Sequence, residues 1–272
     1  MAFQLGSTQV KQEAPFPAGL AIASGNITGA IAINKFGRNI EIDSGVLADV
    51  WDGGYTLASG GTSLLWVAPT ASRIHNIASS STTDASGAAG AKTIKIYGLV
   101  SWGTKEVSET IVMNGTTDVP TTKPYVIIHR MKVVTKGASG PNVGVITATA
   151  VTNSTVTASI RAGQGQTQMA IYGVPSSQTA YVMSFYTSMN KAGGASAVAD
   201  INLLVNPEPD VETTKFLTKH TDGLDSTGTS HFNHLYLLPK KIAGPAIIKM
   251  QALSGTNNVD ISSGFDMVLL DN

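Results

Sequence analysis

An all-β fold is what this sequence predicts, and three observations predict it. Short segments alternate with a period of two: Tyr125, Ile127, His129, Met131 and Val133 share one face, with Arg130 and Lys132 on the other. Gly, Asn, Ser and Pro end these segments at short intervals. No run of helical spacing lies between them. The organisation expected is an N-terminal extended arm over residues 1–61, a central β-meander or sandwich unit over 62–150, and a C-terminal jelly-roll-like β-sandwich over 151–272.

The arm is expected because Gly and Ala dominate it, Pro15 and Pro17 stiffen one stretch, and its apolar pieces (Leu20–Ile22, Ile31–Ile33, Ile40–Ile42) are each too brief to build a core. Ordering about sixty residues costs roughly 1–2 kcal/mol each in backbone entropy, so such a segment needs a surface to lie on. In the central unit four strands are expected in succession, with Asn114-Gly115 as a type I′ turn, because that turn needs positive φ at both central residues. Ser79–Ala91, SSSTTDASGAAGA, is a small-residue loop expected to be mobile or packed against a partner. In the C-terminal unit Val156–Ile160, Tyr181–Phe185, Ile201–Val205, Phe232–Leu238, Ala246–Leu253 and Phe265–Leu270 read as strands. Loose turn signals such as Asn206-Pro207 and Ser254–Asn258 separate them, and seven or eight strands of this spacing fit two sheets closed as a jelly roll.

Composition bounds the function. Charged residues make up 13 % of the 272, about half the usual share of roughly 25 %. A surface so poor in charge relies on Ser, Thr, Asn and Gln for solvation, or is buried against other subunits. Net charge is zero and Lys240-Lys241 is the longest basic run, so no footprint for nucleic acid is expected. There is no cysteine, which removes disulfides, thiolate nucleophiles and Cys-ligated zinc. The first residues carry no basic region followed by an apolar one, so no signal peptide is expected, and no apolar run reaches the length of a membrane span.

No residue constellation specifies a reaction. His231 and His234 stand three apart, but a strand turns such positions to opposite faces, which argues against a metal pair. Asp222–Gly228 lacks the terminal Glu and the flanking helices of a calcium loop. Gly163-Gln164-Gly165 has no helix after it to receive a pyrophosphate. The acid pairs Glu106/Glu109 and Asp49/Asp52 have nothing to place them in a cleft, and His129, on an apolar face, reads as a core histidine. No catalytic, cofactor-binding or metal residue is therefore assigned. Of the three tryptophans, Trp51, Trp66 and Trp102, the last lies in a loop and is the one expected to be exposed. With Tyr181 and Tyr186 it forms the candidate set for a glycan or partner contact.

Several stretches carry a resemblance. Asn34–Asn39 (NKFGRN), Val50–Gly54 (VWDGG), Ser79-Ser80-Ser81 with Asp84, Gly90–Thr93 (GAKT), Asn114–Thr117 (NGTT), Gln166–Tyr172 with Val174-Pro175, and Asn257–Ser262 before Phe265-Asp266 span most of the chain. Together they resemble virion structural proteins of tailed bacteriophages, particularly those of aquatic hosts. The resemblance implies a virion protein of the capsid decoration (cement) or head-fibre type, made in the host cytoplasm and placed on the capsid surface. The expectation is a non-enzymatic structural protein, homotrimeric, that docks on the major capsid protein through its arm. The alternative is a tail-associated module that recognises a host surface glycan. Neither reading calls for a cofactor, a nucleic acid or a membrane.

Overall fold

The computed structural model describes residues 2–5, 8–11, 18–51, 65–191 and 196–272. The protein is all-β: of the described residues 56 % lie in strands and 2 % in helix. β1 (Ala2–Leu5) and β2 (Thr8–Lys11) pair with each other and with nothing else among the described residues. A six-residue helix, α1 (Ala18–Ala23), follows. Then come β3 (Ala30–Ile42), β4 (Leu47–Asp49), β5 (His75–Ser79), β6 (Ala91–Leu99), β7 (Val107–Val112), β8 (Val119–Pro120) and β9 (Ile127–Lys136). Next are β10 (Ile146–Ala150), β11 (Val156–Ile160), β12 (Ile171–Val174), β13 (Gln178–Lys191), β14 (Val198–Asn206) and β15 (Leu217–Asp225). β16 (His231–Ala243), β17 (Ala246–Ser254) and β18 (Val259–Asp271) end the chain.

Four larger sheets hold these strands. The first runs β16-β13-β18-β3, and in the second β17 carries β14 and then β15 on one side. On its other side β17 carries two short strands end to end: β12 covers Ala246–Lys249 and β4 covers Gln251–Leu253. At the joint the Val50 amide donates to the Met250 carbonyl, the Ala170 amide to the Val50 carbonyl, and the Met250 amide to the Ala170 carbonyl, all within 3.0 Å. One strand position is thus filled in two halves. The third sheet, β11-β10-β5-β8, and the fourth, β7-β6-β9, are built from the chain between those halves.

Two cores result. Phe185 and Phe265 are paired across β13 and β18 and fully buried, and with Ile42, Ala48, Val182, Ile201, Leu203, Ile248 and Met250 they fill the core shared by the first two sheets. Ile77, Ile94, Ile96, Leu99, Ile128, Met131, Ile146 and Ile160 fill the other, which Trp51, Trp66, Ile171 and Ile247 join from the strands beside it. Alternation explains both, since each strand turns every second residue into a core. α1 lays Ile22 with Ile27 and Ala30 against Val268 and Leu270, on the outer side of the first sheet.

The sequence expectations need four corrections. Residues 30–51 do not form an arm: β3 pairs along β18 over nearly its whole length and β4 pairs with β17. Pro15, Pro17 and residues 52–61 lie outside the described residues. The central strands are not a meander, because β5 and β8 belong to one sheet and β6, β7 and β9 to another, leaving β6–β7 as the only sequential pair among the described strands of residues 62–150. The boundary expected at residue 150 falls in the turn between β10 and β11, which are paired, so β11 belongs to the central unit. At Asn114-Gly115 only the glycine has positive φ, 62°, and the turn closes from Thr117 N to Asn114 O, so it is not type I′.

Candidate interaction surfaces and buried polar sites

The Ser79–Ala91 loop is pinned rather than mobile. Asp84 is fully buried within it and accepts hydrogen bonds from Ser79 Oγ at 2.6 Å, Ala91 N at 2.8 Å, Val143 N at 2.9 Å and Gly144 N at 2.8 Å. Burial alone would raise its pKa, but these four donors outweigh it and hold the carboxyl below its ordinary value. The acids that stand close in sequence are separated in the same way, each by partners of its own. Glu109 accepts from Thr122 N, Thr122 Oγ1 and Lys123 N; Glu106 meets His129; Asp49 forms a buried pair with Lys249 at 2.7 Å and accepts from Trp66 N. Asp52 lies outside the described residues.

His129 is a core histidine at the junction of the two units. It is 1 % exposed, its ring stacks on Tyr172 of β12 at 4.2 Å, and its Nε2 lies 2.6 Å from Glu106 Oε2. Burial lowers its pKa despite that carboxylate. The neutral ring then donates from Nε2, and Nδ1 is buried without a partner. Lys35 reaches in from β3 and donates to the His129 carbonyl at 2.5 Å. Burial, helped by Arg130 and opposed by Glu106, pulls the Lys35 pKa down to about 7. Nothing in the spacing of NKFGRN announces this lysine as buried.

The predicted contact residues do not converge. Tyr186 lies on the outer side of the first sheet, its ring over Gly264 of the paired strand, where a Cβ would collide with it. Its hydroxyl accepts from Asn34 Nδ2 and donates to the Lys35 carbonyl, so it is a sheet-packing residue. Tyr181 is half-buried between its pairing partners Lys241 and Val268. Trp51 and Trp66 are 4 % exposed and belong to the central core, whereas Trp102 is half-buried and lines a groove to which neither tyrosine contributes.

That groove, about 470 Å³, runs between the central unit and the β14–β15 loop. Pro69, Val100 and Trp102 form one wall, and Asp210, Val211 and Glu212 form the other. Trp102 is held from behind: its ring edge faces Gly173, where a Cβ would come within 3.3 Å, and its carbonyl accepts from Ser176 N at 2.7 Å. Asn206 Nδ2 clamps the opposite loop by donating to the Glu212 carbonyl at 2.6 Å. The dipeptide Asn206-Pro207 signalled the turn in the sequence; its neighbour across the groove was not legible.

A second surface lies on β16, at the edge of the first sheet. Its register with β13 jumps from Val182↔Lys240 to Ser184↔Leu235, so Tyr236–Pro239 bulge opposite the single residue Met183. The bulge presents Leu237 and Leu238, 96 % and 82 % exposed, beside Leu235 at 74 %. On its inner side His234 stacks on Phe185 and lies 4.2 Å from the His220 ring, while His231 stands at the exposed start of the strand. Among the described residues no three potential metal ligands group together, and no helix is long and apolar enough to cross a membrane. No protein-family model matches the chain, and no curated protein matches it.

Proposed function

We propose that the protein is a non-enzymatic structural subunit of a tailed-phage particle, built to pack against further copies of itself on the capsid exterior. The observation that carries this reading is the β16 bulge. Three leucines exposed by 74 % or more sit together on an edge strand, where soluble monomers ordinarily place charge, and an apolar edge is a template for association. The low charge density of the whole surface points the same way.

The strand order supports a jelly roll for the larger unit. β3-β18-β13-β16 in one sheet and β4/β12-β17-β14-β15 in the other is an eight-position, double-sheet arrangement with one shared core, an architecture found in viral capsid and lectin domains. The resemblance of the motifs to phage virion proteins supplies the particle. Attachment to the major capsid protein then falls to the surface of the body and to the residues before α1, since β3 and β4 are engaged within it. A trimer is the assembly proposed, with β16 of each copy against its neighbour.

Analytical ultracentrifugation of the whole protein tests the assembly. The expected result is a trimer that Leu237→Glu with Leu238→Glu converts to a folded monomer; a wild-type chain that stays monomeric at micromolar concentration would sink the reading. Imaging of labelled protein on intact particles tests its place: label over the head supports decoration, and particles without label remove the virion from the proposal.

A further inference from the structure

We propose that the groove between Trp102 and the β14–β15 loop is a binding site for a neutral saccharide. The site is independent of β16 and of any assembly through it. Three features select this class of ligand. A half-buried indole braced against Gly173 offers a rigid apolar surface for the C–H face of a pyranose ring, and because this wall is already fixed its own ordering adds little cost to binding. Pro69 and Val211, the latter 81 % exposed, extend that surface across the groove. The polar residues are of the kind that hydroxyls need: Asp210, Glu212 and Thr213 line the groove, and Glu212 Oε1 accepts from Thr214 Oγ1. Carboxylates accept hydrogen bonds from sugar hydroxyls strongly.

Charge excludes the alternatives. Among the described residues no lysine or arginine lines the groove, while two carboxylates do, so phosphate, sulfate, sialic acid and uronic acids are repelled. The loop that carries the carboxylates is held by Asn206 to the Glu212 carbonyl and by the Lys215–Glu208 ion pair at 2.6 Å, neither of which uses the Asp210 side chain. The site is thus shaped before any ligand arrives.

Tryptophan emission reads the site directly, because Trp51 and Trp66 are buried and Trp102 is the one tryptophan on the groove. The whole protein is titrated with trisaccharides of glucose, galactose and N-acetylglucosamine, and with trigalacturonate as the anionic probe. At least one neutral trisaccharide is expected to shift the emission with a Kd of about 1 mM or tighter. Trp102→Ala should abolish that binding, measured by calorimetry. Asp210→Asn, at an exposed position that leaves the fold unchanged by circular dichroism, should weaken it about tenfold. Failure of all three neutral probes, a preference for trigalacturonate, or undiminished binding by folded Asp210→Asn would each overturn the proposal.

Discussion

Lys35 sits where an ammonium is costly: buried to 7 % exposure, facing Arg130 as well as Glu106, with the His129 carbonyl as its acceptor. Its pKa of about 7 lies below the ordinary 10.5. Between those values the unfolded chain holds a proton that the folded chain has released, so stability rises with pH across that window, by up to about 1.4 kcal/mol per pH unit from this group. His129 adds to the acid side: its depressed pKa means that stability falls as pH drops below the ordinary value of 6.5. Denaturant melts from pH 7 to 10 should show the rise, and Lys35→Met should flatten it; a wild-type curve flat over that range would show the ammonium to be solvated. Asp84 is the opposite case, a buried charge fully met by donors. Asp84→Ala strands the amides of Ala91, Val143 and Gly144, and should cost about 3 kcal/mol or more in the same melts. Because its carboxyl is held below 3.8, its contribution persists at neutral pH and is lost only as pH falls through that depressed value.

At the scale of elements, β3 decides what can be removed. Of the described elements, a chain shortened to begin at residue 18 loses β1 and β2, which pair with no other strand among those described, and it should keep the melting temperature of the full chain. One beginning at residue 62 loses β3 and β4 and with them Ile42, Ala48 and Val50 from the main core, and should not unfold cooperatively. Equal melting of the two truncated chains would return residues 18–61 to the role of an arm. The sequence hid β3 for a physical reason. Its apolar runs are interrupted by Asn34, Lys35, Arg38 and Asn39, which read as solvated, yet each has a tertiary partner: Asp266 for Asn34, the His129 carbonyl for Lys35, Asp260 for Arg38, and the Asp49 carbonyl with the Trp51 amide for Asn39. Periodicity reports on faces and is blind to polar residues satisfied from far along the chain. β13, β14, β17 and β18 were legible even with polar residues of their own, such as Asp200, Lys249 and Asp266. So was Trp102 as the tryptophan nearest to solvent, but not the acidic wall opposite it, because that wall is more than a hundred residues away.

At the scale of the whole molecule, the central unit is an insertion into one strand position of the other. The chain leaves at Val50 and returns at Ala170, where a single backbone hydrogen bond of 2.9 Å joins them. A loop that starts and ends at one point adds little strain to its host, since closure entropy grows only slowly with loop length. The host should therefore fold without its insertion, and replacing residues 52–168 by a short Gly/Ser linker is the test. Excision uncovers Ile171, Tyr172 and Ile247, which now pack against the central unit, so the excised protein should melt cooperatively but at lower temperature. It should also lose the rise of stability between pH 7 and 10. That rise requires Lys35 to be desolvated, and the residues that cover it, His129, Arg130 and Glu106, leave with the insertion. A cooperative excised protein that keeps the rise would place the desolvation of Lys35 within its own sheet. A protein that no longer folds at all would make the two units one cooperative body, with His129 stacked on Tyr172 and the Asp49–Lys249 pair beneath Trp66 as the contacts that join them.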